Sequence, residues 1–226
     1  MVINDQIKQN INQFCFDILP KTTSRAFKKC AEVDLFSRDK WYLADGTALA
    51  LQIGHRRSVD LDFFTKQKKF SEKKIEELLN EQGKWITTSL SEGTLYGKFL
   101  GAKISFIAYP FFTPSMPPYK YGAISIIAPS DIAVMKIIAI SQRGRKRDFF
   151  DLYWICQRIQ PLYKIISNVH KQYSIHQELV HILKALVYFE DAENDPEPQI
   201  YFDASWKKVK NFFIKEIPII AKKIMR

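Results

Sequence analysis

Hydrophobic positions follow two regimes along this chain. Up to residue 128 they alternate or cluster in short runs bounded by glycine, proline and charge; beyond Ser130 they recur at helical spacing. Residues 4–19 and 22–36 carry helical spacing at each end of the lead-in (Ile7, Ile11, Phe14, Ile18; Phe27, Ala31, Leu35) and are separated by Pro20. A strand is predicted over 40–44, a helix over 46–54 and a strand over 59–64, where Val59, Asp60, Leu61, Asp62 and Phe63 alternate. Ser71 is placed to N-cap a helix running to Gln82, with Gly83 ending it. Residues 85–91, 94–100 and 102–109 read as strands turned at Glu92-Gly93 and Gly101. The proline-rich stretch 110–121 reads as a loop, and 123–127 as one more short strand. Ser130 should N-cap a helix to Gln142, followed by helices over 146–158, 162–173, 175–189 and 205–224. Pro218 is expected to kink or break the last one, and the acidic stretch 190–198 reads as a loop. The predicted fold is α+β: a mixed-sheet head flanked by helices over residues 1–128, then an all-helical C-terminal region over 129–226.

Composition supports a folded globule, with 46% hydrophobic and 14% aromatic residues. The net charge of +10 and pI near 9.4 fit a polyanionic partner, RNA, DNA or nucleotide phosphates, as well as simple solubility charge. Basic residues are scattered except for Arg143-Gly144-Arg145-Lys146-Arg147. Cys15, Cys30 and Cys156 lack metal-site spacing, and with no secretory signal they point to reduced thiols and a cytoplasmic protein. The most apolar window, 123–140, is broken by Pro129, Asp131 and Lys136, so no membrane span is expected.

The chemistry concentrates between Gly46 and Phe64. In a strand, residues i and i+2 share a face, so Asp60 and Asp62 would project together. Adjacent carboxylates repel unless a cation neutralises them. Mg²⁺ (or Mn²⁺) suits that place, being held by one or two carboxylates together with substrate phosphates. Upstream, Gly46-Thr47 lies between a strand and a helix, where backbone amides can meet a phosphate. A phosphate cradle beside metal carboxylates outlines a nucleotidyl-transfer site.

The Gly-Thr turn followed by Asp-x-Asp resembles the first motif of polymerase-β-type nucleotidyltransferases. The fuller string DGTALALQIGHRRSVDLDFF, with SDIAVMKIIAISQRGRKRDFFDLY (130–153) and LVYFEDAENDPEPQIYFDASWKKVKNFF (186–213), resembles the AbiEii/AbiGii toxin-type nucleotidyltransferase family. That resemblance implies transfer of an NMP unit from an NTP to an RNA, such as a tRNA 3′ end, or to a protein hydroxyl. It also implies a toxin role with a cognate antitoxin. It makes Gly46, Thr47, Arg56 and Ser58 nucleotide-binding residues and Asp60 and Asp62 catalytic metal ligands. Arg56 reads equally well as a surface arginine.

Lys136 stands alone in an apolar helix, with Arg143 near its face. The pair reads as a basic wall for phosphates, a role the resemblance also implies, or Lys136 snorkels to the surface. Through the string RDFFDLY the resemblance implies that Asp148 either orients Lys136 or acts as base; the alternative is a structural ion pair with Arg143 or Arg147, and Asp151 shares its face. Asp191 and Glu193 read as helix-junction residues, and His170, His176 and His181 as surface groups. The superfamily's third carboxylate should lie on the strand over 102–108, where the matching position is Ser105. That departure keeps a second reading open: a weakened nucleotidyltransferase-like module that binds nucleotide or RNA, or an interaction subunit.

Overall fold

The computed structural model describes residues 14–38, 40–176 and 178–224. The chain divides into two compact units, residues 1–128 and 129–226.

The first unit is built on a seven-stranded sheet of order β3-β4-β5-β2-β1-β7-β6. Its strands are β1 (Tyr42–Ala44), β2 (Leu61–Thr65), β3 (Trp85–Ser91), β4 (Thr94–Phe99), β5 (Ala102–Ala108), β6 (Tyr119–Tyr121) and β7 (Ile124–Ile126). The central strands β2–β5 and β1–β7 run parallel, and the other neighbours are antiparallel. Glycine in the left-handed region turns both hairpins, Gly93 at φ 72° and Gly101 at φ 87°.

Helices α1 (Lys21–Cys30), α2 (Leu35–Arg38), α3 (Asp45–Ile53) and α4 (Glu72–Gln82) accompany the sheet. The Ser71 hydroxyl caps α4 by accepting from the Lys74 amide at 3.3 Å. An aromatic core lies on one sheet face, where Phe63 packs on Phe36 (4.5 Å between centroids) and on Phe106 (5.6 Å). Because β2 alternates, burying Phe63 turns Asp62 to the other face.

Several local expectations change. The helix over 4–19 lies mostly outside the described residues, and its described end is a 3₁₀ turn at Phe16–Ile18. The run 22–36 is two helices, since Ala31 ends α1 and the chain restarts where the Ser37 hydroxyl bonds the Asp34 carbonyl at 2.9 Å. The first strand of the motif begins at Leu61, with Asp60 just before it. The 110–121 loop ends in strand β6, which its prolines had concealed.

The second unit is helical: α5 (Pro129–Arg143), α6 (Lys146–Arg158), α7 (Leu162–Gln172), α8 (Leu179–Ala185), α9 (Glu190–Glu193) and α10 (Trp206–Ile224). Ser130 lies inside α5 and does not cap it. Of the expected helix over 175–189 only α8 forms; Ile175, Val180 and Tyr188 of that stretch are exposed, so their spacing has no core to answer to. Helix α10 runs unbroken through Pro218. A proline removes the bond to the carbonyl four residues back, here Ile214, which is exposed and open to water. Val209 and Phe213 before the proline, and Ile217 and Ile220 around it, are all buried on one face and hold the helix together.

Candidate active site

In the first unit, β1 ends at Ala44 opposite Asp62, and the chain enters α3 through Asp45 in the left-handed region, φ 61°. Gly46 follows. A Cβ there would collide with the Arg56 guanidinium, so the absence of a side chain is what admits the arginine. Arg56 is buried and donates from Nη1 to the Arg57 carbonyl at 2.9 Å, so it is no surface arginine.

The Thr47 hydroxyl donates to the Asp60 carbonyl in a short bond. Its oxygen also lies 2.7 Å from the Ser58 hydroxyl. A carbonyl can only accept, so Ser58 donates to Thr47 and Thr47 donates onward to Asp60. Both hydroxyls are buried. What they do directly is tie the segment before β2 to the first turn of α3, which fixes the backbone that carries Asp60. Helix α3 has no side-chain cap at its N-terminus.

Asp60 and Asp62 meet different surroundings. The buried Oδ1 of Asp60 has no hydrogen-bond partner. Asp62 Oδ1 accepts the Ser105 hydroxyl at 2.5 Å. Ser105 is the register partner of Asp62 across the parallel β2–β5 pair, so the position where a third carboxylate would stand carries a neutral donor. Among the described residues no group of three or more His, Cys, Asp or Glu side chains comes together as a metal cage. A two-carboxylate set with an orphaned buried oxygen fits a cation that takes its remaining ligands from water and phosphate, as Mg²⁺ does. It does not fit a closed zinc site.

The second unit holds a separate charged cluster. Lys136 on α5 is 1% exposed, and its ammonium lies 2.5 Å from Asp148 Oδ1 and 3.0 Å from Asp151 Oδ2, both carboxylates fully buried on α6. Lys136 therefore does not snorkel. Two carboxylates of its own unit hold the ammonium, because a lone buried ammonium would be prohibitively unfavourable, and Asp148 is thus in the place expected of a group that orients Lys136. Asp148 Oδ2 lies 3.8 Å from Nε of Arg143, whose side chain is 49% exposed. Arg143 is thus the member of this group that reaches solvent.

The Asp148–Asp151 spacing was readable from the sequence, whereas the closure of both carboxylates on Lys136 depends on how α5 packs on α6. Sequence reasoning missed a second buried pair, in which Gln172 donates to Asp131 at 3.0 Å. Glu193 does sit at a helix junction: it accepts Lys210 at 2.5 Å and the Trp206 indole at 3.0 Å, and these bonds, Lys210 first, lower its pKa. Burial pushes the thiols of Cys30 and Cys156 well up, so neither is poised as a nucleophile.

The family model described as "Nucleotidyl transferase AbiEii toxin, Type IV TA system" matches residues 30–94 and 100–220. The chain belongs to this family. Its members are nucleotidyltransferases described as toxins of type IV toxin–antitoxin systems, and this chain is a nucleotidyltransferase of that kind. An uncharacterized protein of Aquifex aeolicus (strain VF5) is 32% identical over 207 residues, covering 88% of this chain and 96% of its own length. An H. pylori structure described as a candidate nucleotidyltransferase shares the fold at 15% identity, with a TM-score of 0.50 over 91% of this chain and 97% of that one. MenT4, a nucleotidyltransferase toxin of Mycobacterium tuberculosis H37Rv, aligns at 14% identity and a TM-score of 0.48 over 89% of this chain and 86% of its own. Among the described residues no helix is long and apolar enough to cross a membrane.

Proposed function

We propose that this toxin-type nucleotidyltransferase moves an NMP unit from an NTP to the 3′ end of an RNA such as tRNA, with Mg²⁺ or Mn²⁺ held by Asp60 and Asp62. The observation that carries the metal is the buried, unpartnered Oδ1 of Asp60 beside a second carboxylate. When bound, the divalent ion neutralises the triphosphate and polarises the phosphoryl group. In the transfer, an acceptor hydroxyl loses its proton and its oxygen bonds the α-phosphorus. The bond to the departing pyrophosphate breaks.

The chain's own residues do the positioning. Thr47 and Ser58 hold the Asp60 backbone, Ser105 orients Asp62, and Arg56, seated against Gly46, supplies fixed positive charge beside the cradle at the start of α3. Lys136 fixes Asp148 and Asp151, and Arg143 offers an exposed cation for phosphate. The net charge of +10 favours RNA over a protein hydroxyl as acceptor. The family's description supports a cognate antitoxin as regulator.

The test is to incubate purified protein with each labelled NTP, Mg²⁺ and total RNA, beside a variant carrying Asp60→Asn and Asp62→Asn. Label is expected in RNA with wild type and nowhere with the variant, whose melting temperature without metal holds or rises. Label retained by the variant, or a large loss of its stability, would remove the metal site from this reading.

A further inference from the structure

Among the described residues, the sheet face that carries Asp62 continues beyond it without a hydrophobic cover. Asp62 pairs in register with Ser105, Ser105 with Tyr96 and Tyr96 with Ser89, so one row of side chains runs from the carboxylate to the edge strand β3. Strand spacing puts Tyr96 about 10 Å from Asp62 along that row. The other face of these strands is core: Leu95, Phe99, Ile104 and Phe106 are buried. On the Asp62 face, Tyr96 is 44% exposed, and Ser89, Lys98 and Lys103 are exposed as well.

Lys98 and Lys103 are direct register partners on β4 and β5. Like charges opposite one another destabilise a sheet pair, and neither lysine forms an ion pair among the described residues. Two unneutralised ammoniums and an exposed ring, on a face rich in hydroxyls, match a single nucleic-acid strand: phosphates meet the lysines and a base stacks on the ring. An apolar or acidic protein segment would leave either the lysines or the open tyrosine face unused.

We infer that this open face of β3, β4 and β5 is the platform for the acceptor strand, with Tyr96 stacking a base, Lys98 and Lys103 holding phosphates, and the strand's 3′ end delivered along the Ser105 row to Asp62. The inference rests on the RNA-acceptor reading above and adds where the RNA lies. It makes Tyr96, Lys98 and Lys103 binding residues for acceptor and leaves nucleotide binding to Asp60, Asp62 and the Gly46 turn.

The test uses the full chain and a 5′-fluorescein single-stranded oligoribonucleotide with a free 3′ hydroxyl, read by anisotropy and by nucleotide transfer. Tyr96→Ala is expected to weaken oligonucleotide binding about ten-fold, the scale of one lost base stack, and Tyr96→Phe to restore it. Lys98→Gln with Lys103→Gln should flatten the slope of log affinity against log salt by about 1.4, the release expected from two single-strand phosphates. In each case the acceptor KM rises, kcat at saturating RNA stays near wild type, and the thermal shift given by NTP with Mg²⁺ is unchanged. Wild-type oligonucleotide binding, salt slope and acceptor KM in these variants would overturn the platform while leaving an RNA acceptor standing. If the wild type itself binds no oligonucleotide and labels protein instead, both the platform and the RNA-acceptor reading fall.

Discussion

Asp60 keeps one buried oxygen without a donor, and Asp62 leans on the neutral hydroxyl of Ser105. Asp148 and Asp151, by contrast, close on the ammonium of Lys136 at 2.5 and 3.0 Å, with all three side chains withdrawn from water. One pair lies a turn apart on α6 and the other two positions apart at the start of β2, so both read in the sequence as closely spaced carboxylates. The difference is where the countercharge comes from. A buried carboxylate stays ionised only with positive charge close by. The helical pair carries its cation in the chain, with Lys136 between the two carboxylates and Arg143 3.8 Å from the second oxygen of Asp148. At the sheet pair one buried oxygen of Asp60 has no hydrogen bond, and the countercharge proposed for it is a divalent cation.

The strongest way to break that contrast is Lys136→Met. A cation drawn only to phosphate could be removed without harm to folding, but this one leaves two buried carboxylates uncompensated. About 3–5 kcal/mol of stability should be lost, as when one partner of a buried ion pair is removed. Adding Asp148→Asn and Asp151→Asn should recover most of it. Urea unfolding of the three proteins measures this, and an unchanged midpoint for Lys136→Met would remove the structural role.

The complementary measurement addresses the sheet pair. Mg²⁺ with NTP should stabilise the wild type more than either alone, by about 2.7 kcal/mol at a hundredfold excess over Kd. The same mixture should do nothing for the Asp60→Asn, Asp62→Asn variant. A thermal-shift series over the four ribonucleotides with no response at millimolar concentration would close this line.

Ser105→Asp sharpens the comparison with a smaller effect. Placed in register beside Asp62, a third carboxylate should destabilise the metal-free protein by about 1 kcal/mol through like-charge repulsion. Divalent metal should reverse the sign, and metal affinity should hold or rise. An inert Ser105→Asp protein beside a fully active wild type would show that a three-carboxylate arrangement is the wrong template for this site.

The smallest effect is expected at Glu193, an exposed carboxylate whose pKa is lowered by its bonds to Lys210 and Trp206. A lowered folded pKa means the contact stabilises above the ordinary carboxylate value of 4.5 and fades as pH falls through the lowered one. Melting temperatures of wild type and Glu193→Gln should therefore differ slightly at neutral pH and converge in strong acid. A gap that persists unchanged in acid would mean that the charge is not what matters.

Where local chemistry decides structure, the sequence was readable. Ser71 and Gly83 mark both ends of a helix, Gly93 and Gly101 turn the hairpins, and the Asp60–Asp62 spacing with Gly46-Thr47 points to the candidate site. Ser105 was also found: the family resemblance pointed to its strand, and alternation picked out the polar position on the Asp62 face. What escaped depends on packing between distant segments. Lys136 finds Asp148 and Asp151 only once α5 and α6 are docked, and Gln172 reaches Asp131 from another helix altogether. Pro218 misled for the same reason: a core-facing row of side chains on either side outweighs one missing bond. Strand β6 is too short to announce itself and is made by pairing with β7.

The Gly46–Arg56 contact has a consequence for how this chain could be disarmed. Gly46→Ala adds one methyl group and leaves every charged residue in the sequence untouched, yet that methyl claims the space the guanidinium occupies. The guanidinium would have to shift, so a mutation invisible to any count of charges moves a charge at one point in space. A lineage that drifts from glycine here would keep its pI, its strands and its aspartates and still displace the cation seated at the start of α3. In such a chain the smallest residue serves as the address at which the largest cation is delivered.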